Sequence, residues 1–278
     1  MTSFIAWVGI DERAVASVYF ASDSRLSSSY KDPNTGKTIN NWLWDHGRKL
    51  FACRNFPDIF GYVGDVLFPS QILSELVDLI DTGVIFGIED HPDKRMEKII
   101  SFLEEAAIGY PFMDNVRIYY CSRVDINNRS SMRSWFRLFR LTRQNNKWNP
   151  HPIGIAKEKS GELIIDGSGT SNIQSAIQKW KASPQGNTSR SIFSAFCDGL
   201  ENTTDQLSGG PPQLVGIHRK GMGKCFGIIY QSKSYFLGLP IKQAINPEKI
   251  EWFNDLFEVT NGKTKKKKIK AQRHQDIQ

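Results

Sequence analysis

Residues 205–210 read DQLSGG and separate a helical pattern, TSRSIFSAFCDGLENT at 188–203, from a strand-like run, QLVGIHRKG at 213–221. Aspartate, serine and glycine are residues that turns prefer, so this segment taken alone is typical of a plain turn. The segments that precede it along the chain determine whether it also belongs to a chemical site.

Strand-like and helical patterns occur along the chain in blocks. Short apolar runs bounded by turn residues indicate strands, and apolar residues at helical spacing indicate helices, the first of which starts at Pro69 and stops at Gly83. The order of strands, two helices, strands, two helices and strands does not alternate as in a βαβ protein, so an α+β fold is predicted. The strand-like runs are at 2–10, 14–22, 48–53, 59–65, 115–124, 134–144, 151–157, 161–169, 213–221 and 224–238, the helical patterns at 69–83, 93–110, 171–183 and 188–203, a turn-rich loop at 30–47, and an amphipathic segment at 247–259.

The composition is that of a soluble globular protein. Of the 278 residues, 40% are hydrophobic and 23% are charged, and this length allows a sizeable core. No apolar run approaches the roughly 20 residues that span a bilayer. Asp11 and Glu12 come early, where a signal peptide would be apolar. The sequence therefore predicts a cytoplasmic protein with no membrane segment.

Neither cysteine nor histidine indicates a metal site or a catalytic triad. The four cysteines are far apart and form no CxxC pair, so reduced cysteines in the core are favoured over zinc ligands or disulfides. None of the five histidines stands near a serine, a cysteine or a second histidine at useful spacing. We therefore expect no metal and no organic cofactor.

Most of the positive charge lies at the end of the chain. The net charge is +7, and residues 261–278 carry +6 of it, so the preceding 260 residues are nearly neutral. A polar, lysine-rich terminal segment is typical of a disordered tail. The predicted organisation is a domain at 1–260 and a basic, disordered tail at 261–278. Nucleic-acid binding is not favoured, because no aromatic residues are interleaved with the lysines.

Thr2 stands directly behind the initiator methionine and begins the first strand-like run, TSFIAW. A threonine at the amino terminus carries a nucleophile and a base in one residue. Its hydroxyl attacks a carbonyl while its α-amino group, with an unperturbed pKa of about 7.7–8, accepts the proton. Such a site also needs a cation near the hydroxyl, a carboxylate to hold that cation, and a backbone N–H for the oxyanion.

Other segments can supply each of these groups. Lys49 in RKLF can be the cation, and Asp23 at the end of the second strand can hold it. Gly64 in GYVGD allows close approach of the backbone and can supply the oxyanion N–H. Three further residues, from the DGSGTS segment at 166–171 and from DQLSGG, can hydrogen-bond around the amine: Ser168, Asp205 and Ser208.

This set of residues resembles that of proteasome β-type subunits and bacterial proteasome-like peptidases, members of the N-terminal nucleophile (Ntn) hydrolases. The family's Asp-x-Arg corresponds to Asp23 and Arg25, its Gly-Ser-Gly to GSG at 167–169, and its Asp-x-x-Ser-Gly-Gly to DQLSGG. The likeness covers roughly residues 2–235. It implies a four-layer αββα sandwich, in which two antiparallel sheets are flanked by helices.

The resemblance also implies an activity and an assembly. It implies a threonine endopeptidase that hydrolyses peptide bonds of unfolded polypeptides after removal of Met1. It further implies self-association into a ring or an open helical assembly, with an ATP-driven unfoldase as a candidate partner. Four apolar residues flanking the aligned positions are expected to line the pocket for the substrate side chain before the cleaved bond: Leu26, Phe51, Tyr62 and Val66.

The chain departs from the family pattern in three ways, of which the first is a longer stretch from Thr2 to Asp23. The loop at 26–47 is expanded, and Met1 alone precedes the threonine where relatives often have a propeptide. If Met1 persists, Thr2 has an amide instead of an amine and the base is lost. Two alternatives therefore stay open: a silent scaffold or regulatory subunit that only builds the assembly, and an Ntn amidase that acts on a small amide.

Overall fold

A computed structural model describes residues 2–36, 38–110, 115–125, 134–242 and 246–269. Met1 and the part of the predicted tail from residue 270 onward lie outside the described residues. No helix in the described ranges is long and apolar enough to cross a membrane.

The described residues form a mixed structure with four helices and several antiparallel sheets. The four helical patterns of the sequence are confirmed. In chain order, the elements are β1 (Ser3–Asp11), β2 (Ala14–Ser22), β3 (Leu26–Lys31), β4 (Thr38–Trp44), β5 (Leu50–Ala52), β6 (Asp58–Val63), α1 (Leu67–Asp81), α2 (Pro92–Ala106), β7 (Arg117–Asp125), β8 (Ser134–Gln144), β9 (Lys147–Ile153), β10 (Gly161–Gly167), α3 (Thr170–Lys181), α4 (Ser189–Glu201), β11 (Gln213–His218), β12 (Lys224–Tyr230), β13 (Lys233–Phe236), β14 (Leu239–Pro240), β15 (Trp252–Asn254) and β16 (Val259–Thr260).

The strands form two main sheets. The larger sheet has nine strands in the order β10-β1-β2-β11-β12-β13-β14, with β15 paired in parallel to β12 and β16 paired to β15. The second has five strands in the order β5-β6-β7-β8-β9. All pairs other than β12 with β15 are antiparallel, as hairpin connections allow.

The first hairpin, β1 and β2, places Thr2 directly before a buried strand. β1 pairs with β2 on one side and with β10 on the other. Because successive side chains of a strand point to opposite faces, Ile5 and Trp7 join one core cluster, and Phe4 and Ala6 join another. The two strand-like runs at 2–10 and 14–22 are confirmed, and they pair as an antiparallel hairpin.

Three clusters of buried apolar residues form the core. The first joins α1 and α2 to the five-stranded sheet, and the second joins α3 and α4 to the nine-stranded sheet. The third contains residues of both sheets, such as Phe4 and Phe20 from one and Leu50 and Tyr119 from the other. Phe4 stacks on Tyr119 with ring centroids 4.5 Å apart, which is a favourable aromatic geometry.

Local sequence explains where two of the helices begin. Pro92 occupies the first turn of α2, and the side chain of His91 accepts a hydrogen bond from the Asp93 N–H. Thr188 caps α4 through a reciprocal capping box with Ser191. These contacts satisfy backbone donors that a helix leaves open at its start.

The turn-rich loop predicted at 30–47 is wrong in part. Residues Leu26–Lys31 and Thr38–Trp44 pair as an antiparallel two-stranded sheet. LSSSYK is mostly polar, and TINNWLW has two asparagines followed by three adjacent apolar residues. Neither run shows the alternation that identifies a half-buried strand, which explains the difference. The amphipathic segment at 247–259 contains a 3-10 turn at Pro247–Lys249 followed by β15.

The first part of the predicted tail contacts the rest of the chain. The Lys268 N–H donates to the Val259 carbonyl at 2.9 Å, and Lys267 Nζ lies 2.8 Å from Glu258 Oε1. Because nothing from residue 270 onward is described, the boundary between domain and tail stays a prediction.

Candidate active site

Lys49 and Asp23 form a fully buried ion pair beside the hydroxyl of Thr2. Lys49 Nζ lies 2.6 Å from Asp23 Oδ1 and donates to Thr2 Oγ1 at 3.3 Å. All three side chains have no exposed surface. Burial lowers the pKa of the Lys49 ammonium, and the carboxylate of Asp23 opposes that shift. The structure therefore brings together three residues that span 47 positions along the chain, from Thr2 to Lys49.

The Asp23 carboxylate is held by backbone donors from both sides of the site. Its Oδ1 accepts the Ser3 N–H at 3.0 Å, and its Oδ2 accepts the Gly209 N–H at 2.9 Å. The Arg25 N–H contributes a longer bond of 3.3 Å. These bonds therefore fix the orientation of the Asp23 side chain toward Lys49.

Two glycines make room for the backbone at Thr2. A Cβ on Gly167 would lie 1.8 Å from the Thr2 carbonyl oxygen, and Gly167 has a φ of +102°. A Cβ on Gly169 would lie 2.0 Å from the Ser3 hydroxyl. Only glycine permits such close approach. The first and last residues of the GSG segment therefore have a packing role at the start of β1.

The three residues predicted to surround the amine occupy different environments. Ser208 is fully buried, and its hydroxyl hydrogen-bonds the hydroxyl of Ser3. Asp205 Oδ1 accepts the Leu207 N–H at 3.0 Å, whereas its Oδ2 is buried with no hydrogen-bond partner among the described residues. Ser168 is exposed. The structure therefore places Ser208 in the buried group around Ser3, while Ser168 faces outward.

Gly64 lies between the end of β6 and the start of α1. Its φ is +105°, and a Cβ there would lie 1.9 Å from the carbonyl oxygen of Asn115. Glycine is therefore required by the backbone at this position. No hydrogen bond joins Gly64 to Thr2 within the described part of the chain.

The four residues predicted to line the substrate pocket do not share one environment. Phe51 and Tyr62 are buried in the first core cluster, on the sheet face that α1 and α2 cover, rather than at an open surface. Val66 caps α1 and packs partly against the same cluster. Leu26 is half-buried and lies against Gly47, two residues before Lys49.

Gln213 is a buried polar residue that the sequence reasoning missed. Its Oε1 accepts the Lys49 N–H at 3.0 Å, and its Nε2 donates to the carbonyls of Asp23 at 3.0 Å and Gly47 at 2.7 Å. Nε2 also lies 3.1 Å from the hydroxyl of Ser24. The available signal was a glutamine at the start of the apolar strand that follows DQLSGG. This side chain joins the backbones that carry the cation and its carboxylate.

Two ion pairs lie on segments next to the buried group of Thr2, Asp23 and Lys49. Arg25 contacts Asp45 through Nε at 2.7 Å and donates to the backbone carbonyl of Gln206 at 3.1 Å. Arg117 Nε lies 2.6 Å from Asp166 Oδ2. Although burial raises the pKa of the Asp166 carboxyl, the hydrogen bonds from Arg117 and Tyr119 outweigh it and lower the pKa.

The geometry combines a hydroxyl, a buried cation and a fixed carboxylate. A cation 3.3 Å from Thr2 Oγ1 stabilises negative charge on that oxygen. A hydroxyl nucleophile also needs a base, and within the described residues Thr2 Oγ1 has no histidine partner. An α-amino group on Thr2 itself would complete the set.

Comparisons with known proteins find likenesses among solved structures. No family model matches the chain, and no curated protein matches it. Among the solved structures it resembles is a crystal structure of eukaryotic HslV from Trypanosoma brucei, with 11% identity and a TM-score of 0.41. The likeness covers 77% of this chain and 99% of that one.

Proposed function

We propose that this chain is a threonine peptidase whose nucleophile is the hydroxyl of Thr2, freed at its amino end by removal of Met1. The observation that carries the proposal is the buried contact of Lys49 Nζ with both Thr2 Oγ1 and Asp23 Oδ1. Burying a lysine and an aspartate is costly unless they are well paired. A pair placed against a hydroxyl at the start of a strand is well suited to activating that hydroxyl.

The proposed reaction follows from these positions. The Thr2 hydroxyl attacks the carbonyl carbon of a peptide bond while the Thr2 amine accepts the hydroxyl proton. Lys49 stabilises the oxygen as it loses its proton, and the Gly64 N–H receives the oxyanion. The amine passes the proton to the leaving nitrogen, so that an ester on Thr2 and a free amine product form. Water, activated by the same amine, then hydrolyses the ester.

Asp205 is suited to binding the freed amine. Its buried Oδ2 has no hydrogen-bond partner among the described residues, and such groups are uncommon in native structures. We propose that the ammonium form of the Thr2 amine donates to this oxygen, with Ser208 and Ser168 completing its surroundings. Leu26 and Val66 are proposed to contribute to the substrate pocket, which favours an apolar side chain.

The same proposal extends to the architecture and assembly. The three core clusters support a four-layer αββα stacking, since two clusters join helices to a sheet and the third contains residues of both sheets. We propose a single domain at 1–260, self-association into a ring or helical assembly that encloses the sites, and unfolded polypeptides as substrates. An ATP-dependent unfoldase is the proposed partner.

The test is the intact mass of the purified protein before and after an epoxyketone probe, which requires both a hydroxyl and a free amine on one residue. We expect loss of Met1 and a single adduct. Thr2→Ser should keep the adduct, and Thr2→Ala should lose it. Retained Met1 with no adduct would contradict the peptidase and favour the silent subunit. An adduct without cleavage of fluorogenic peptides would favour an amidase.

A further inference from the structure

One cavity is lined by several basic side chains, and apart from His46 its lining residues lie between positions 233 and 265. Its volume is about 860 Å³, and its lining includes His46, Lys233, Lys242, Lys263 and Lys265. No aspartate or glutamate is among the described residues that line it. Cavities of a few hundred to about 1,000 Å³ are the size that small ligands occupy.

The lysines of this cavity have few partners within the protein. Lys233, Lys242 and Lys263 form no ion pair with any residue in the described ranges, whereas elsewhere in the chain lysines such as Lys98 are paired with carboxylates. Lys265 Nζ donates to the Ser232 carbonyl at 2.8 Å, which leaves its other protons available. Like charges gathered at one cavity repel each other, and a multiply charged anion removes that repulsion.

We propose that this cavity, which we call the lysine cavity, binds an anion that carries several phosphate groups. Four lysines can neutralise a triphosphate, and ammonium groups bind phosphate as point charges. Apolar surface from Tyr235, Ile241 and Pro247 forms part of the same lining. Inorganic tripolyphosphate and a nucleoside triphosphate share the required chemistry, and they differ in whether a base contacts this apolar surface.

The lysine cavity is connected to the candidate active site through three consecutive residues. His46 lines the cavity and contacts the Gly238 carbonyl at 3.0 Å through Nδ1. Asp45 before it pairs with Arg25, and the Gly47 carbonyl after it accepts from Gln213. An anion bound at His46 therefore acts on the segment that leads directly into Lys49.

The experiment measures binding of sodium tripolyphosphate to the full chain by isothermal titration calorimetry. The test variant is Lys233→Gln/Lys263→Gln. One control, Lys147→Gln/Lys159→Gln, makes the same charge change on exposed lysines next to the β8–β9 turn and before β10. A second control, Lys266→Gln/Lys268→Gln, removes two charges from exposed lysines of the basic terminal segment that do not line the cavity. Melting temperatures without ligand verify that each variant folds.

Loss of two charged contacts should weaken binding by about tenfold or more in the test variant, with both controls close to the unmodified protein. Absence of binding, or an equal loss in either control, would overturn the proposal, since the anion would then be attracted by charge in general or by the tail. ATP binding more tightly than tripolyphosphate would identify a nucleotide, and equal or weaker binding would identify an inorganic polyphosphate. Thr2→Ala should bind equally well, which separates this result from the proposed peptidase.

Discussion

Lys49 carries an ammonium group that the fold buries completely beside Asp23. Burial lowers the pKa of this ammonium, while the carboxylate of Asp23 at 2.6 Å opposes that shift. Asp23 in turn depends on Lys49 and on backbone donors. Removing either residue alone should therefore lower the stability of the folded protein, because the other would stay buried without its partner.

Substitution of Lys49 by methionine should damage both stability and activity. An unpaired buried carboxylate should lower the free energy of unfolding by about 3–5 kcal/mol, as measured by urea denaturation. Cleavage of fluorogenic peptides should fall by at least about 100-fold, because the cation at the Thr2 hydroxyl is gone. The double variant Lys49→Met/Asp23→Asn should recover much of the stability and none of the activity. Recovery of activity would contradict the role given to the lysine.

Gln213 is expected to act as a positioning residue. Gln213→Leu removes the acceptor for the Lys49 N–H and the donor to the Gly47 carbonyl, so the free energy of unfolding should fall by about 1–3 kcal/mol. The rate of adduct formation by the epoxyketone probe should fall about tenfold, with a lower kcat and an unchanged KM. Gln174→Leu, on an exposed position of α3, should leave both measurements unchanged. A rise in KM alone would indicate a role in substrate binding instead.

At the scale of elements, β10 ends in a glycine that cannot be replaced. Gly167→Ala would place a methyl group 1.8 Å from the Thr2 carbonyl at a positive φ, so we expect strain of at least about 1–3 kcal/mol and loss of probe labelling. Gly161→Ala, at the other end of the same strand, meets its nearest atom at 4.0 Å and should be neutral. Thermal denaturation and labelling of the two variants provide the comparison.

Elements with a strong local pattern were predictable from the sequence. The β1–β2 hairpin has two apolar runs around a short polar turn, and α1 has apolar residues at helical spacing from Ile72 to Ile80. Even so, α1 begins at Leu67, two residues before Pro69. The β3–β4 pair was missed because neither strand alternates polar and apolar residues, so that cross-strand pairing rather than a local pattern defines them.

At the scale of the whole molecule, one ion pair joins the two sheets close to Thr2. Asp166 belongs to β10 of the nine-stranded sheet, while Arg117 and Tyr119 belong to β7 of the five-stranded sheet. Asp166 Oδ1 also accepts the Gly167 N–H at 2.7 Å. Contact between the sheets is thereby linked to the glycine that packs against Thr2.

Acid should weaken the ion pair between Asp166 and Arg117 and so lower the stability of the folded protein. The pKa of the folded Asp166 carboxyl lies below its ordinary value of 3.8, so the unfolded chain binds the proton first as the pH falls. The stabilisation is complete above pH 3.8 and disappears as the pH falls through the lower folded value. Asp166→Asn should therefore lose less stability than the unmodified protein in urea denaturation below about pH 4. Glu104→Gln, an exposed change on α2, should follow the unmodified protein.

The sequence was enough to predict which residues belong to the candidate site. It was not enough to predict which of their atoms are in contact. Residue types and short motifs pointed to Thr2, Asp23 and Lys49, because the chemistry of an amino-terminal nucleophile names the groups it needs. Gln213 contacts Lys49 across 164 positions of sequence. No local pattern encodes such a contact, since it depends on how the strands pair. The burial of Phe51 and Tyr62 under helices likewise follows from tertiary packing.

The complete burial of Thr2 has a practical consequence for producing the protein. An affinity tag fused ahead of Thr2 would keep the Thr2 nitrogen in an amide bond. The linking residues would also have to pass through a buried region in which Gly167 and Gly169 leave room for backbone atoms alone. Such a fusion should purify as an inert protein. The opposite end offers a better attachment point, because Ile269, the last described residue, is fully exposed.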